Sequence, residues 1–429
     1  MAIRRRVRGI AGAAMLGIVA LIATGCTATG SAAAGVHEQV DTPFAKSVED
    51  SLSQALDSAI ALSASTGGVA GVWAPWAGEW TAARGKTSIE KGAALTLDTH
   101  FRIGQLTQGM TCTVLLRLVD EKKVTLDTTV AELLPSIPGT GAITLGQLCQ
   151  GTSGLADTHG ILAGQYAANP ERPWPAIELV SNALALPRIA DPGDIAAPSD
   201  AGYMLLALAL EAASGRPWND LYHDHVLSPL GLTETTIPGA ATVEVPGVHP
   251  AGYLAPRAAD GTVACDAVAD VSRLSPSMGW TSSGAVSTVP ELKTWVQALA
   301  AGSLLSDKSA KAQWSTIPIG VDVPQWQGFG LGATQIGPMR GGSASMGGYL
   351  TAAYSDPQSG LTVVVMLNNA TAGPDFAKSF ALELASLGAR ADAAAGSGSE
   401  KPVIELPWSA EQMAEALTAA AVCQPAPAP

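Results

Sequence analysis

The strand-forming stretches of this chain lie near its two ends, and its apolar helix-forming stretches lie between them. Near the start, "GGVAGVWAPWAGEWTAARGK" reads as two strands around a bend supplied by Pro75 and Gly78. Near the end, "GFGLGATQIG" reads as a strand, "GYLTAAYSDPQSGLTVVVMLNN" as a hairpin of two strands, and "DFAKSFALELASLG" as a closing helix. Three apolar helices are expected in between. "GMTCTVLLRLVDEKK" has apolar residues at helical spacing, with Lys122 and Lys123 placed to suit the helix dipole. "SDAGYMLLALALEAASG" is stopped by Gly215, and "VPELKTWVQALAAG" is opened by Thr288 or Pro290 and closed by Gly302. A chain whose two ends build one sheet leaves its middle as an inserted helical region packed on that sheet, an α/β (α+β) arrangement.

The first 25 residues are read as a processing signal and set apart from the fold. Arg4, Arg5, Arg6 and Arg8 precede the apolar run "GIAGAAMLGIVALIATG", which ends directly before Cys26. Small residues before a cysteine at that point resemble a lipobox, so Cys26 is the expected lipidation site and anchor to the outer face of a cell membrane. "TATGSAAAG" follows, and residues 26–45 are expected to form a flexible tether. Removing the signal deletes four arginines and no acid, which takes the formal charge from −13 to −17. Nucleic acid is excluded as a partner, because its binding needs a basic surface.

Cys112, Cys149, Cys265 and Cys423 fit no metal-binding spacing, six scattered histidines add none, and no cofactor is expected. Outside the cytoplasm four cysteines allow two disulfides, and the expected pairs are 112–149 and 265–423. Buried free thiols remain an open alternative for Cys112 and Cys149. The composition changes at "ADAAAGSGSEKP", so residues 393–429 read as a C-terminal extension after a domain spanning 46–392. It holds a strand-like "PVIELPW", a short helix "SAEQMAEALTAAAV" and an extended "QPAPAP" tail.

The stretch "HFRIGQLTQGMTCTVLL" has the form of a strand, a glycine, a polar tetrapeptide and a buried helix. With "LVDEKKVTLDTTVAELLP", "ITLGQLCQGTSGL", "GYMLLALALEAASGRPW", "LSPLGLTET" and "SSGAVSTVPELKTWVQAL", it resembles the serine β-lactamase and D-alanyl-D-alanine carboxypeptidase family, class C type. Actinobacterial lipoproteins of that group are the nearest in form. The resemblance covers roughly Leu52 to Leu387. It implies a β-lactamase/transpeptidase-like fold, with a central antiparallel sheet flanked by helices and an inserted all-helical region.

The family works through three motifs, and the resemblance places all three on altered residues. Ser-x-x-Lys opens the buried helix, with the serine as nucleophile and a water-depleted lysine as base, one turn apart. Here Gln105 and Gln108 hold those positions, and a carboxamide is neither a nucleophile at neutral pH nor a base. Tyr-x-Asn becomes Pro198-Ser199-Asp200, which removes a hydroxyl and adds a negative charge. Lys-Thr-Gly becomes Gly342-Ser343-Ala344; Arg340, two residues back on an extended strand, is expected to face the same way and replace part of the lost charge. Gly151 stands where the family usually has histidine.

Other serines and histidines are weaker candidates. Ser88-Ile89-Glu90-Lys91 has Ser-x-x-Lys spacing but lies in a polar turn and opens no apolar helix. Ser153 in "GTSGL" lacks the outer residues of a nucleophile elbow. His223 and His225 read as a solvated helix face. What survives is backbone geometry: the family's oxyanion pocket uses the N–H at the nucleophile position, here Gln105, and one near Ser345. A cleft formed by Gln105, Thr107, Gln108, Ser199, Asp200, Ser343 and Ser345 would suit amide-rich ligands such as cell-wall peptide, or an envelope protein. The alternatives are a cleft that has closed over, and an active serine hydrolase with an atypical nucleophile.

Overall fold

The computed structural model describes residues 37–424 except 259, 321–322 and 397, and statements of absence below concern those residues. The signal segment, Cys26, the tether up to residue 36 and the tail from 425 lie outside them. Helix α1 (Lys46–Leu62) leads into strands β1 (Gly67–Ala74) and β2 (Gly78–Gly85). Among the helices that follow are α2 (Leu106–Asp120), α3 (Leu145–Gln150), α4 (His159–Ala168), α5 (Ala176–Leu184), α6 (Asp200–Ser214), α7 (Trp280–Ser283) and α8 (Val289–Ala301). The chain then returns to the sheet through β3 (Gln327–Phe329), β4 (Thr334–Ile336), β5 (Met339–Met346), β6 (Tyr349–Ser355) and β7 (Thr362–Leu367). It closes with α9 (Pro374–Ala389) and α10 (Ala410–Ala419).

The sheet has seven strands in the order β2-β1-β7-β6-β5-β4-β3, every pair antiparallel. The two ends of the chain therefore meet inside the sheet, where Val72 of β1 lies opposite Val363 of β7. Both strands are buried on both faces, so the apolar runs that marked them in the sequence fill two cores rather than one. On one face Ala70, Val72, Val363 and Val365 pack with Leu56 of α1 and Phe376 and Phe380 of α9. On the other, Val69, Trp73, Val364 and Met366 join α2, α8 and the helical insertion. Gly71 is required here: a Cβ would lie 2.2 Å from the indole of Trp73, which folds back across it.

Helix α2 lies inside the second core, with twelve of its fifteen residues buried. Gly104 introduces it with φ +52°, and a Cβ there would come 2.8 Å from the Cβ of Ala344 on β5. The start of α2 is thus pressed against the edge of β5. Beyond Gly341 that edge has no neighbouring strand, because β4 pairs only with residues 339–341.

Three expectations need correction. Residues 37–45 are not a free tether: Gln39 donates to the carbonyls of Ala74 and Gly78, Val40 N donates to Pro75 O, and Phe44 is buried. "GFGLGATQIG" is not one strand but the β3–β4 hairpin, turned through Gly332 at φ +78°. "PVIELPW" forms no strand; Pro402 and Pro407 remove two donors from a seven-residue stretch, and Val403 faces solvent. The C-terminal extension is packed on the domain. Trp408 is buried and donates its indole N–H to Leu382 O of α9, and α10 packs along that helix.

Both expected disulfides are formed, Cys112–Cys149 with Cα atoms 5.8 Å apart and Cys265–Cys423 with 5.2 Å. The second closes a span of 158 residues and fixes the extension to the body. Replacing Cys265 and Cys423 together with serine is expected to cost about 2–4 kcal/mol, by widening the unfolded ensemble. Urea unfolding of the two proteins measures the difference, with the native circular dichroism spectrum retained.

Candidate functional site

A cavity of about 300 Å³ lies between the first turn of α2, helix α8, the β3–β4 hairpin and β5. Gln105 and Gln108 line it from α2, Trp295 and Leu299 from α8, and Gly342 and Ser343 from β5. The cleft has therefore not closed over. The hairpin turn forms its outer wall: a Cβ on Gly332 would touch Gln108 O and Cys112 Sγ, so only glycine lets this turn lie so close to α2. The Cys112–Cys149 disulfide sits one turn beyond Gln108 and ties α2 to α3, and Gly332 N donates to Cys149 O.

Gln105 is half-buried, and its side chain makes no hydrogen bond within the described protein. Its backbone N–H likewise meets no protein acceptor among the described residues. That is the donor expected of an oxyanion pocket. Gln108 is 94% buried, being 6% exposed, and its Nε2 donates to Ser282 Oγ at 3.1 Å. Ser282 Oγ in turn donates to Asp200 Oδ1 at 2.5 Å. A continuous polar chain thus runs from the cavity wall into the helical insertion. Sequence reasoning missed Ser282, which looks like any other residue of "GWTSSGAVST" until the fold brings α7 against α2 and α6.

Asp200 stands at the start of α6 with Oδ2 3.8 Å from His159 Nδ1 on α4. Burial pushes its carboxyl above the ordinary carboxylate range, the nearby Asp157 charge adds to this, and the Ser282 hydroxyl and His159 oppose it. Asp200 does not line the cavity; it acts on it from behind, through Ser282.

The other expected residues divide. Ser343 lines the cavity beside the Tyr354 hydroxyl. Ser345 does not: it pairs with Leu350, whose side chain belongs to the α9 core, so its own side chain faces that way. Thr107 is fully buried, donating to Gly104 O and accepting from Ala285 N, and is part of the scaffold. Ser199 is buried and donates to Ala156 O. Pro198 lies on Gly151, where a Cβ would meet its ring at 2.9 Å. The departures at 151 and 198 are therefore one contact in space.

Arg340 does not stand in for the lost cation. Its guanidinium donates to Ala300 O and lies over the Trp314 ring, 4.6 Å from the centroid. The cation that does line the cavity, Lys378, is paired with Asp375 at 2.7 Å. His225 is not solvated but buried, 3.7 Å from Glu121, while His223 is exposed. Ser88 lies in a turn, as its polar setting suggested, and Ser153 is buried. No described residues form a cluster fit to hold a metal ion.

The family model described as Beta-lactamase matches residues 55–387. The chain belongs to the β-lactamase family. Among curated members it is 29% identical over 157 residues to penicillin-binding protein 4 of Amycolatopsis lactamdurans, covering 35% of this chain and 39% of that protein. It is 33% identical over 159 residues to the D-alanyl-D-alanine-carboxypeptidase/endopeptidase AmpH of Escherichia coli K12, covering 35% and 40%. The matched stretches thus span about two fifths of these relatives. Among solved structures, a D-stereospecific amidohydrolase from Streptomyces sp. has a TM-score of 0.66 at 27% identity, covering 75% of this chain and 94% of the other. A D-amino acid amidase from Ochrobactrum anthropi SV3 has 0.67 at 20% identity, covering 80% and 98%, a likeness of fold.

Because the folded Asp200 holds its proton more tightly than an unfolded aspartate, ionising it weakens the fold. Stability falls as pH rises from the ordinary carboxylate range to the folded value, and the penalty persists above it. Asp200→Asn is expected to be more stable than wild type at pH 7, by no more than about 2 kcal/mol. The gap should close as pH falls to 4. Thermal melts across that range measure it.

Proposed function

We propose that this β-lactamase-family protein performs no acyl transfer and acts by binding an amide-rich ligand at the cell envelope. One observation carries the reading: Gln105 and Gln108 occupy the first turn of an otherwise intact α2 and line an open cavity. Neither carboxamide can attack a carbonyl or take a proton. Losing nucleophile or base alone costs on the order of a million-fold in analogous serine hydrolases. The Ser282–Asp200 contact is the one feature that favours an atypical hydrolase, but Ser282 is fully buried and no substrate carbonyl reaches it.

Relatives named for D-alanyl-D-alanine carboxypeptidase, D-aminopeptidase and D-amino acid amidase activities indicate the ligand class: peptides and amides of D-amino acids, as in cell-wall peptide. A protein partner of the envelope would use the same amide groups. A lipid anchor at Cys26 would hold the domain on the extracellular face of the membrane.

The test restores the motifs in steps and follows labelling by a fluorescent penicillin. Wild type is expected to remain unlabelled. Q105S/Q108K should also remain unlabelled, because Asp200 would hold the new lysine protonated through its charge. Q105S/Q108K/P198Y/D200N should label. Labelling of wild type would overturn the proposal.

A further inference from the structure

We infer that Asp200, acting through Ser282, fixes the orientation of the Gln108 carboxamide, so that the cavity selects ligands offering an N–H over ligands ending in a carboxylate. The inference rests on the binding reading above and names its ligand class more closely.

Ser282 Oγ gives its single proton to Asp200 Oδ1, 2.5 Å away. Its oxygen is left as an acceptor, and a hydrogen-bond donor has to face it. Gln108 supplies Nε2 at 3.1 Å. With its nitrogen committed to the wall, Gln108 turns Oε1 the other way. That oxygen has no protein donor among the described residues, and it is not among the sealed-off polar atoms, so it opens into the cavity that Gln108 lines. An amide at 200, whose Nδ2 can donate to Ser282 Oγ, would leave the chain free to run in either direction.

The cavity then holds a fixed acceptor at Gln108 Oε1 and a fixed donor at the Gln105 N–H. One amide matches both, its carbonyl facing Gln105 and its N–H facing Gln108. A carboxylate matches only the first and sets oxygen against oxygen at the second. No free cation relieves that conflict, since Arg340 is turned onto Trp314 and Lys378 is paired with Asp375.

The test uses two probes that differ in one group, N-acetyl-D-alaninamide and N-acetyl-D-alanine, titrated by NMR at pH 7.5. Wild type is expected to prefer the amide by about tenfold or more, the range that one unpaired buried polar group produces. In D200N and in S282A the preference should fall to within about twofold, with amide affinity little changed. A residue that served only to hold the fold would shift both probes together. S282A deletes one hydroxyl and keeps the helix, so a D200N that fails to fold leaves the test standing. If wild type binds the carboxylate as well as the amide, or the variants keep the tenfold preference, this inference is overturned and the binding reading stands. If neither probe binds wild type up to solubility, both fall.

Discussion

Helix α2 is buried on almost every side, and the rest of the molecule is arranged around that fact. Met110, Val114, Leu115, Leu116 and Leu118 are all hidden from solvent. Together they contribute on the order of 10 kcal/mol of apolar burial, comparable to the net stability of a whole domain. The helix cannot be remodelled without losing the fold. Its first turn is different: Gln105 and Gln108 line a cavity with polar side chains rather than filling the apolar core. The chemistry of that turn can change while its backbone stays, because the two depend on different atoms.

The site around it is consistent with substitution in concert. Pro198 rests on Gly151, and Asp200 reaches Gln108 through Ser282, so the altered positions touch one another in pairs rather than singly. The disulfide at Cys112 and the glycine turn at Gly332 brace the helix just beyond the glutamines. Both lie beside the 300 Å³ opening that the glutamines line. An open cavity offering a backbone donor at Gln105 and a carboxamide at Gln108 is what the proposed binding role requires.

Much of this was legible in the sequence. The β1, β6 and β7 stretches are long, apolar and bounded by glycine or proline, so their pattern survives any tertiary context. The glutamines were legible because flanking residues fix their register. Ser282 was not: it lies 174 positions from Gln108 and 82 from Asp200, and only the packing of α7 makes it a link. Arg340 misled for a related reason. Alternation gives the face of a strand but not the reach of a long side chain, and Trp314 and the Ala300 carbonyl offered the guanidinium a better place. The docking of residues 37–45 and of Trp408 was hidden because short, proline-bearing segments carry no periodicity, though each buries an aromatic ring.

The account stands on a fold whose reactive groups have been exchanged for unreactive ones. Intact-mass analysis of the purified protein after prolonged exposure to a fluorophosphonate, which modifies any activated serine, tests that most directly. An unchanged mass is the predicted result. A stoichiometric adduct mapped to any single serine, Ser282 and Ser343 included, would contradict it.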